Sequence, residues 1–155
     1  MDSKIRVRFW ILIVVSSLLS LLYLLGQTMA FINYDFTVMV ELQEPVEEIT
    51  EIGVALNKGF GVGDTVVYLP LLIAGIIGLV KRKQWGLFSM TSALAITIYW
   101  PIVCLATLLF AKGSQGFNFS DYTSYSIILP IISIFGLWGL WFIYQNRKAL
   151  IETLP

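Results

Sequence analysis

Histidine is absent from this sequence of 155 residues, and cysteine occurs only once. Histidine is the commonest general base and the commonest metal ligand of proteins, so its absence removes the simplest catalytic and metal sites. The lone Cys104 has no partner for an internal disulfide, and its position in an apolar run is typical of a small buried hydrophobe. We therefore predict no catalytic residue, no metal ligand and no cofactor from the sequence.

Charged residues are also scarce, at 13% of the chain against about 25% in soluble domains. Ten basic and ten acidic residues give a formal net charge of zero, and no nucleic-acid-binding motif is present, so we predict no nucleic-acid partner. Gly59, Gly61 and Gly63 only imitate a dinucleotide-binding fingerprint, because no strand precedes them. Hydrophobic residues make up 57% of the chain, a composition that fits a lipid bilayer.

Four apolar runs are long enough to cross a membrane, which takes roughly 20 helical residues. They predict a single all-α integral membrane domain over residues 1–155, built as a bundle of four transmembrane helices. The predicted spans are about 9–32, 60–80, 86–111 and 122–146, and the predicted outer loops are 33–59 and 112–121.

The positions of lysine and arginine predict the orientation. Eight of the ten basic residues precede span one, separate spans two and three, or follow span four, and only Lys58 and Lys112 lie elsewhere. By the positive-inside rule both termini are cytoplasmic. We expect a multi-pass protein of the cell (plasma or inner) membrane.

The first outer loop contains two different patterns. Residues 36–43 alternate apolar with polar side chains, which predicts a short strand, and residues 116–119 of the second loop are the nearest candidate to pair with it. Residues 45–59 have apolar positions at helical spacing, with Pro45 and three glutamates at the start. They predict an amphipathic helix over the mouth of the bundle. Its acids form either a solvated face or a surface for a cation or a partner.

Small and polar residues at helical spacing mark the faces on which spans pack together. On span two this face carries Asp64 and Tyr68, and on span one it carries Tyr23 and Gln27. An ionised aspartate is costly in lipid, so Asp64 is expected to face the bundle axis, with Gln27 as its partner. Three interpretations of Asp64 stay open: a helix N-cap at the membrane surface, a pocket group that contacts a ligand or ion, or a structural bond to another span.

Aromatic and hydroxyl side chains gather in the outer half of the spans, near Pro70, Pro101 and Pro130. Prolines inside helices favour kinks, and kinks at similar depth favour a cavity. An interfacial belt of tyrosine and tryptophan is the plainer interpretation. The predicted ligand-binding residues are Tyr23, Gln27, Asp64, Tyr68, Tyr99, Trp100, Tyr122, Tyr125 and Ser126.

Three functions are compatible with these features. The favoured one is a non-enzymatic membrane protein that binds a lipid or small molecule in an outward-facing cavity, or that acts as a subunit or accessory of a membrane complex. The second is an oligomeric transporter or channel with Asp64 along its pathway. The third is a membrane enzyme that uses carboxylates, although no second intramembrane acid accompanies Asp64. Membrane lipid, a protein partner and a second copy of the chain are the expected partners.

Overall fold

The computed structural model describes residues 2–151, and these residues form five helices and no strand. Four helices are long and apolar enough to cross a membrane, which confirms the predicted four helices of membrane-spanning length. The helices are α1 (Ser3–Ile32), α2 (Tyr34–Met39), α3 (Val46–Val80), α4 (Gln84–Ala111) and α5 (Tyr122–Leu150).

The long helices run alternately up and down, so charged segments collect at two ends of the bundle. Arg6, Leu79, Arg82 and Leu150 line one cavity, which places the start of α1, the α3–α4 turn and the finish of α5 together. We call this the basic end. The opposite end contains residues 33–63 and 112–121 with most of the acids, and we call it the acidic end.

Close backbone approach holds α3 against α4 near the basic end. A β-carbon on Gly78 would collide with the backbone of Gly86, and one on Gly75 would lie 2.7 Å from the Cα of Met90. Only glycine at these positions lets the two helices come so near each other. The core between the helices consists of fully buried side chains, among them Leu12, Leu72, Met90, Leu94 and Phe142.

The strand predicted for residues 36–43 is wrong, because α2 occupies the first half of this segment and a turn follows it. The Asn33 side chain caps α2 by accepting a hydrogen bond from the Phe36 backbone N–H at 3.2 Å. At the other end Glu41 has a positive φ of 58°, and the N–H of Leu42 donates to the carbonyl of Thr37 at 2.9 Å. The Asn33 cap favours the start of a helix, and the turn at Glu41 favours its end. Together they outweigh a short alternating sequence pattern.

The predicted pairing partner, residues 116–119, contacts the start of α3 instead. The Asn118 N–H donates to the Glu48 carbonyl at 2.8 Å, and both the N–H and the hydroxyl of Ser120 donate to the Glu48 carboxylate at 3.1 and 3.2 Å. The two connecting segments at the acidic end therefore do meet, but through a helix start rather than a β-ladder.

Residues 46–63 are the first part of α3 rather than a separate helix. Thr50 breaks the helical geometry with φ 69° and ψ 168°, so the segment bends there and then continues into the apolar span. Gly63 and Asp64 both have helical dihedral angles. Asp64 is consequently not a helix N-cap, because its helix starts 18 residues earlier at Val46.

Candidate functional site

Two π-helical segments face each other near the acidic end and position the polar residues of the candidate site. They are Leu24–Thr28 within α1 and Asp64–Tyr68 within α3. The Thr28 and Thr65 hydroxyls join them by a hydrogen bond of 2.7 Å. In the second segment the backbone N–H of Leu69 donates to the backbone carbonyl of Asp64 across the wider π-helical turn. This turn accommodates Pro70, which has no backbone N–H to donate. Widened turns of this kind occur frequently at functional sites.

The first segment also comes very close to the backbone of α3. A β-carbon on Gly61 would collide with the carbonyl oxygen of Gln27. This approach holds the backbone of Gln27 in α1 against Gly61 of α3.

Two cavities adjoin at this level of the bundle, with volumes of about 300 Å³ and about 260 Å³. The first lies between α3 and α4 and is covered by the segment around Phe117. The second lies between α1 and α5. Their common wall consists of four residues, Gln27, Leu42, Trp100 and Tyr125.

Four buried polar atoms in this region have no hydrogen-bond partner within residues 2–151. They are the Tyr23 hydroxyl, Gln27 Oε1, Asp64 Oδ2 and Trp100 Nε1. Tyr23 and Asp64 are only 5% and 7% exposed, so their polar atoms are well shielded. A buried polar atom without a partner costs about 1–3 kcal/mol, and four in one region are therefore a feature that needs an explanation.

Aromatic rings surround these atoms. The Tyr23 ring lies 4.5 Å from the Tyr68 ring and 5.9 Å from the Trp100 ring, measured between centroids. Tyr68 has a partner of its own, since its hydroxyl lies 2.8 Å from the Thr97 hydroxyl, which in turn donates to the Ala93 carbonyl. Tyr68 is thus a satisfied core residue, whereas Tyr23, which lines the second cavity, has a buried hydroxyl with no partner in the described part of the chain.

The structure brings some of the predicted ligand-binding residues together and separates others. Tyr23, Gln27, Trp100 and Tyr125 line one or both cavities. Asp64 is buried beside them but does not line either cavity, although it interacts electrostatically with Tyr23 and Tyr68. Three residues lie outside the cavity walls: Tyr99 and Ser126, which are exposed, and Tyr122, which packs edge-on against Phe119.

A hydrogen-bonded network closes the first cavity towards the acidic end, and the sequence analysis did not identify it. Asn57 donates to the Gln43 side chain at 2.8 Å and to the Tyr34 hydroxyl at 3.3 Å, and Tyr34 donates to the Glu44 carbonyl at 2.9 Å. Tyr125 donates its hydroxyl to the Glu44 carboxylate. We call these five residues the roof network. Only the polar Asn57 on a helix rich in apolar residues hinted at it.

Burial within the roof network affects the ionisation of Glu44. Desolvation raises the pKa of Glu44 above its ordinary value, and this rise is partly opposed by a hydrogen bond to its own backbone. The Glu48 carboxylate adds to the rise in pKa. The roof therefore contains an acid whose charge changes at a higher pH than that of an exposed glutamate.

The region combines unpaired hydrogen-bonding groups with apolar side chains. Within residues 2–151 no group of three carboxylate or thiol side chains is arranged to hold a metal ion. Cys104 lines the first cavity as a thiol. The chain has no significant match among protein-family models, curated proteins or solved structures. The function must therefore be inferred from the cavities themselves.

Proposed function

We propose that this protein is a non-enzymatic membrane protein that binds a lipid or small molecule in the paired cavities at its acidic end. The proposal rests on one observation: unpartnered buried polar atoms of Tyr23, Gln27 and Trp100 belong to residues that line these cavities. A ligand with hydrogen-bonding groups would supply the missing partners and remove the cost of leaving them unpaired.

The cavity dimensions support a ligand of modest size. Typical binding pockets have volumes of about 300–1,000 Å³, and the first cavity alone reaches the lower end of that range. Most of its wall is apolar, with a few polar groups, which is the usual composition of a small-molecule site.

The orientation completes the proposal. Lysine and arginine concentrate at the basic end, so the positive-inside rule favours a plasma or inner membrane protein with both termini in the cytoplasm. The acidic end and its cavities then face outwards.

Native mass spectrometry of the protein released from nanodiscs tests this function. Wild type is compared with Tyr23→Phe and Trp100→Phe, which delete the unpaired hydroxyl and indole N–H while each keeps an aromatic ring. Tyr99→Phe is the matched control, because Tyr99 lies on the same helix as Trp100 but is 66% exposed and lines neither cavity.

We expect a discrete adduct on wild type and on Tyr99→Phe that is weakened on both cavity variants. Loss of one hydrogen bond of about 1 kcal/mol corresponds to roughly a fivefold loss of occupancy. A bare chain of 17.5 kDa in every sample would refute the binding function. The same spectra report a homo-oligomer or a co-purified protein subunit, which the alternative role in a membrane complex requires.

A further inference from the structure

The second cavity has a side entrance between α1 and α5. Nearer the basic end these helices touch, since a β-carbon on Gly139 of α5 would lie 3.2 Å from the Leu12 side chain of α1. Towards the acidic end they part, and the cavity lies between them. Leu22 and Ile128 form its opposite walls while remaining 46% and 53% exposed, so the cavity reaches the apolar surface of the bundle.

The polarity of the cavity walls changes along its length. Leu22, Ile128 and Ile132 form an apolar stretch beside the entrance, whereas Glu41, Asp121 and Ser124 form the rim at the acidic end. Tyr23 and Trp100 also line this cavity, and the Tyr23 hydroxyl and the Trp100 indole N–H are unpaired donors within the described part of the chain. An amphipathic ligand matches this order of surfaces.

The rim of the second cavity carries the negative charge of its two carboxylates. Neither cavity has a lysine or arginine in its wall. The two closest lysines in sequence are positioned over aromatic rings instead, Lys58 over Tyr34 and Lys112 over Tyr122, each 5.5 Å from the ring centre. Two carboxylates at the rim therefore attract a positively charged group and disfavour an anionic one.

On these grounds we infer that the second cavity binds an amine-bearing phospholipid from the membrane leaflet at the acidic end, an inference that rests on the proposed binding function. The ammonium group lies at Glu41 and Asp121. The phosphate accepts hydrogen bonds from Tyr23 and Trp100, and an acyl chain leaves between Leu22 and Ile128. Tyr23 is the second, independent feature that points to a ligand, because this cavity-lining residue is 95% shielded and its buried hydroxyl has no partner among the described residues.

Two lysolipids with the same oleoyl chain and the same phosphate provide a matched test: oleoyl lysophosphatidylethanolamine and oleoyl lysophosphatidylglycerol. Only the first carries an ammonium group. Each is titrated into the purified full chain in detergent, and bound lipid is counted by native mass spectrometry. The rim variants are Glu41→Gln and Asp121→Asn, which keep side-chain size, and asparagine preserves the N-cap that Asp121 forms on α5.

The control variant is Glu51→Gln, which removes an acid of the same end that lines neither cavity. We expect wild type and the control to prefer the ethanolamine lipid. Exposed ion pairs are weak, so each rim variant should reduce this preference by roughly two- to fivefold. Tyr23→Phe should weaken binding of both lipids together, because both carry the phosphate.

Equal binding of the two lipids by wild type, or an unchanged preference in both rim variants, would overturn the headgroup assignment. If binding is equal but still weakened by Tyr23→Phe, the proposed binding function stands and only the headgroup inference fails. If neither lysolipid binds while a co-purified adduct persists, the ligand is not a lipid of this class. If no adduct of any kind forms, both proposals fail.

Discussion

Replacing Gly61 by alanine should separate α1 from α3 at the base of the candidate site. The new β-carbon would meet the Gln27 carbonyl oxygen, a backbone atom that cannot swing aside like the tip of a side chain. Overpacking of this kind typically costs about 1–3 kcal/mol. Alanine also gains about 1 kcal/mol over glycine in helix propensity, so the net change is a loss of zero to about 2 kcal/mol.

Gly63→Ala is the matched control, because it receives the same gain in propensity on the same helix and a β-carbon there meets nothing within 4 Å. The propensity contribution cancels between the two variants. Their free energies of unfolding should therefore differ by about 1–3 kcal/mol, with Gly61→Ala the less stable. The measurement is reversible unfolding in mixed micelles with increasing sodium dodecyl sulfate, followed by circular dichroism. Equal stability of the two variants would refute the close approach of α1 and α3.

Two further predictions concern tyrosine hydroxyls and the charge of the roof. Tyr68→Phe should lower the free energy of unfolding by about 1 kcal/mol because it breaks the buried hydrogen bond to Thr97. Tyr23→Phe should leave the free energy of unfolding unchanged or raise it, because the Tyr23 hydroxyl has no partner among the described residues. A greater loss of stability in Tyr23→Phe than in Tyr68→Phe would contradict the hydrogen-bond assignment. For Glu44 the folded-state pKa is raised by burial, so the folded protein holds this proton more tightly than the unfolded chain does. Its contribution to stability is thus present at low pH and is lost as pH rises from about 4.5 towards the raised pKa. Micelle unfolding across that window should show this decline in wild type and a flatter profile in Glu44→Gln, and identical profiles would show that Glu44 titrates normally.

The long helices could be predicted from the sequence because a helix that crosses a bilayer requires a long run of apolar residues. The predicted spans 86–111 and 122–146 correspond closely to α4 and α5. The predicted span 60–80 corresponds to the last part of α3, which starts 14 residues earlier at Val46. Backbone hydrogen bonding does not stop where hydrophobicity stops, so an apolar run does not fix where its helix begins.

The polar residues at the centre of the site were also partly predictable, because periodic patterns mark the faces on which helices pack. Tyr23, Gln27 and Asp64 lie on the small and polar faces that helices in lipid turn towards each other, and Trp100 was predicted with the aromatic residues in the outer half of the spans. All four now hold a buried polar atom without a partner. Tyr99 was grouped with its neighbour Trp100 because the two residues lie at the same depth, but consecutive helical residues lie on different faces and Tyr99 is 66% exposed.

The roof network was beyond the reach of periodic patterns. Its contacts depend on how α2 ends at Glu41 and on where α3 bends at Thr50, and both residues adopt positive φ without being glycine. Nothing in a hydrophobicity pattern marks such positions. The alternation in residues 36–43 therefore favoured a strand, while the Asn33 cap selected a helix.

The order in which the chain is synthesised determines when the roof network can form. The contact between Thr28 and Thr65 joins residues 37 positions apart, so α1 and α3 can associate early. The roof network joins Glu44 to Tyr125, which are 81 positions apart. This contact can therefore form only after α5 has been synthesised. A chain that ends before α5 lacks Tyr125, so its roof network is incomplete and both cavities lose one of the residues that line them.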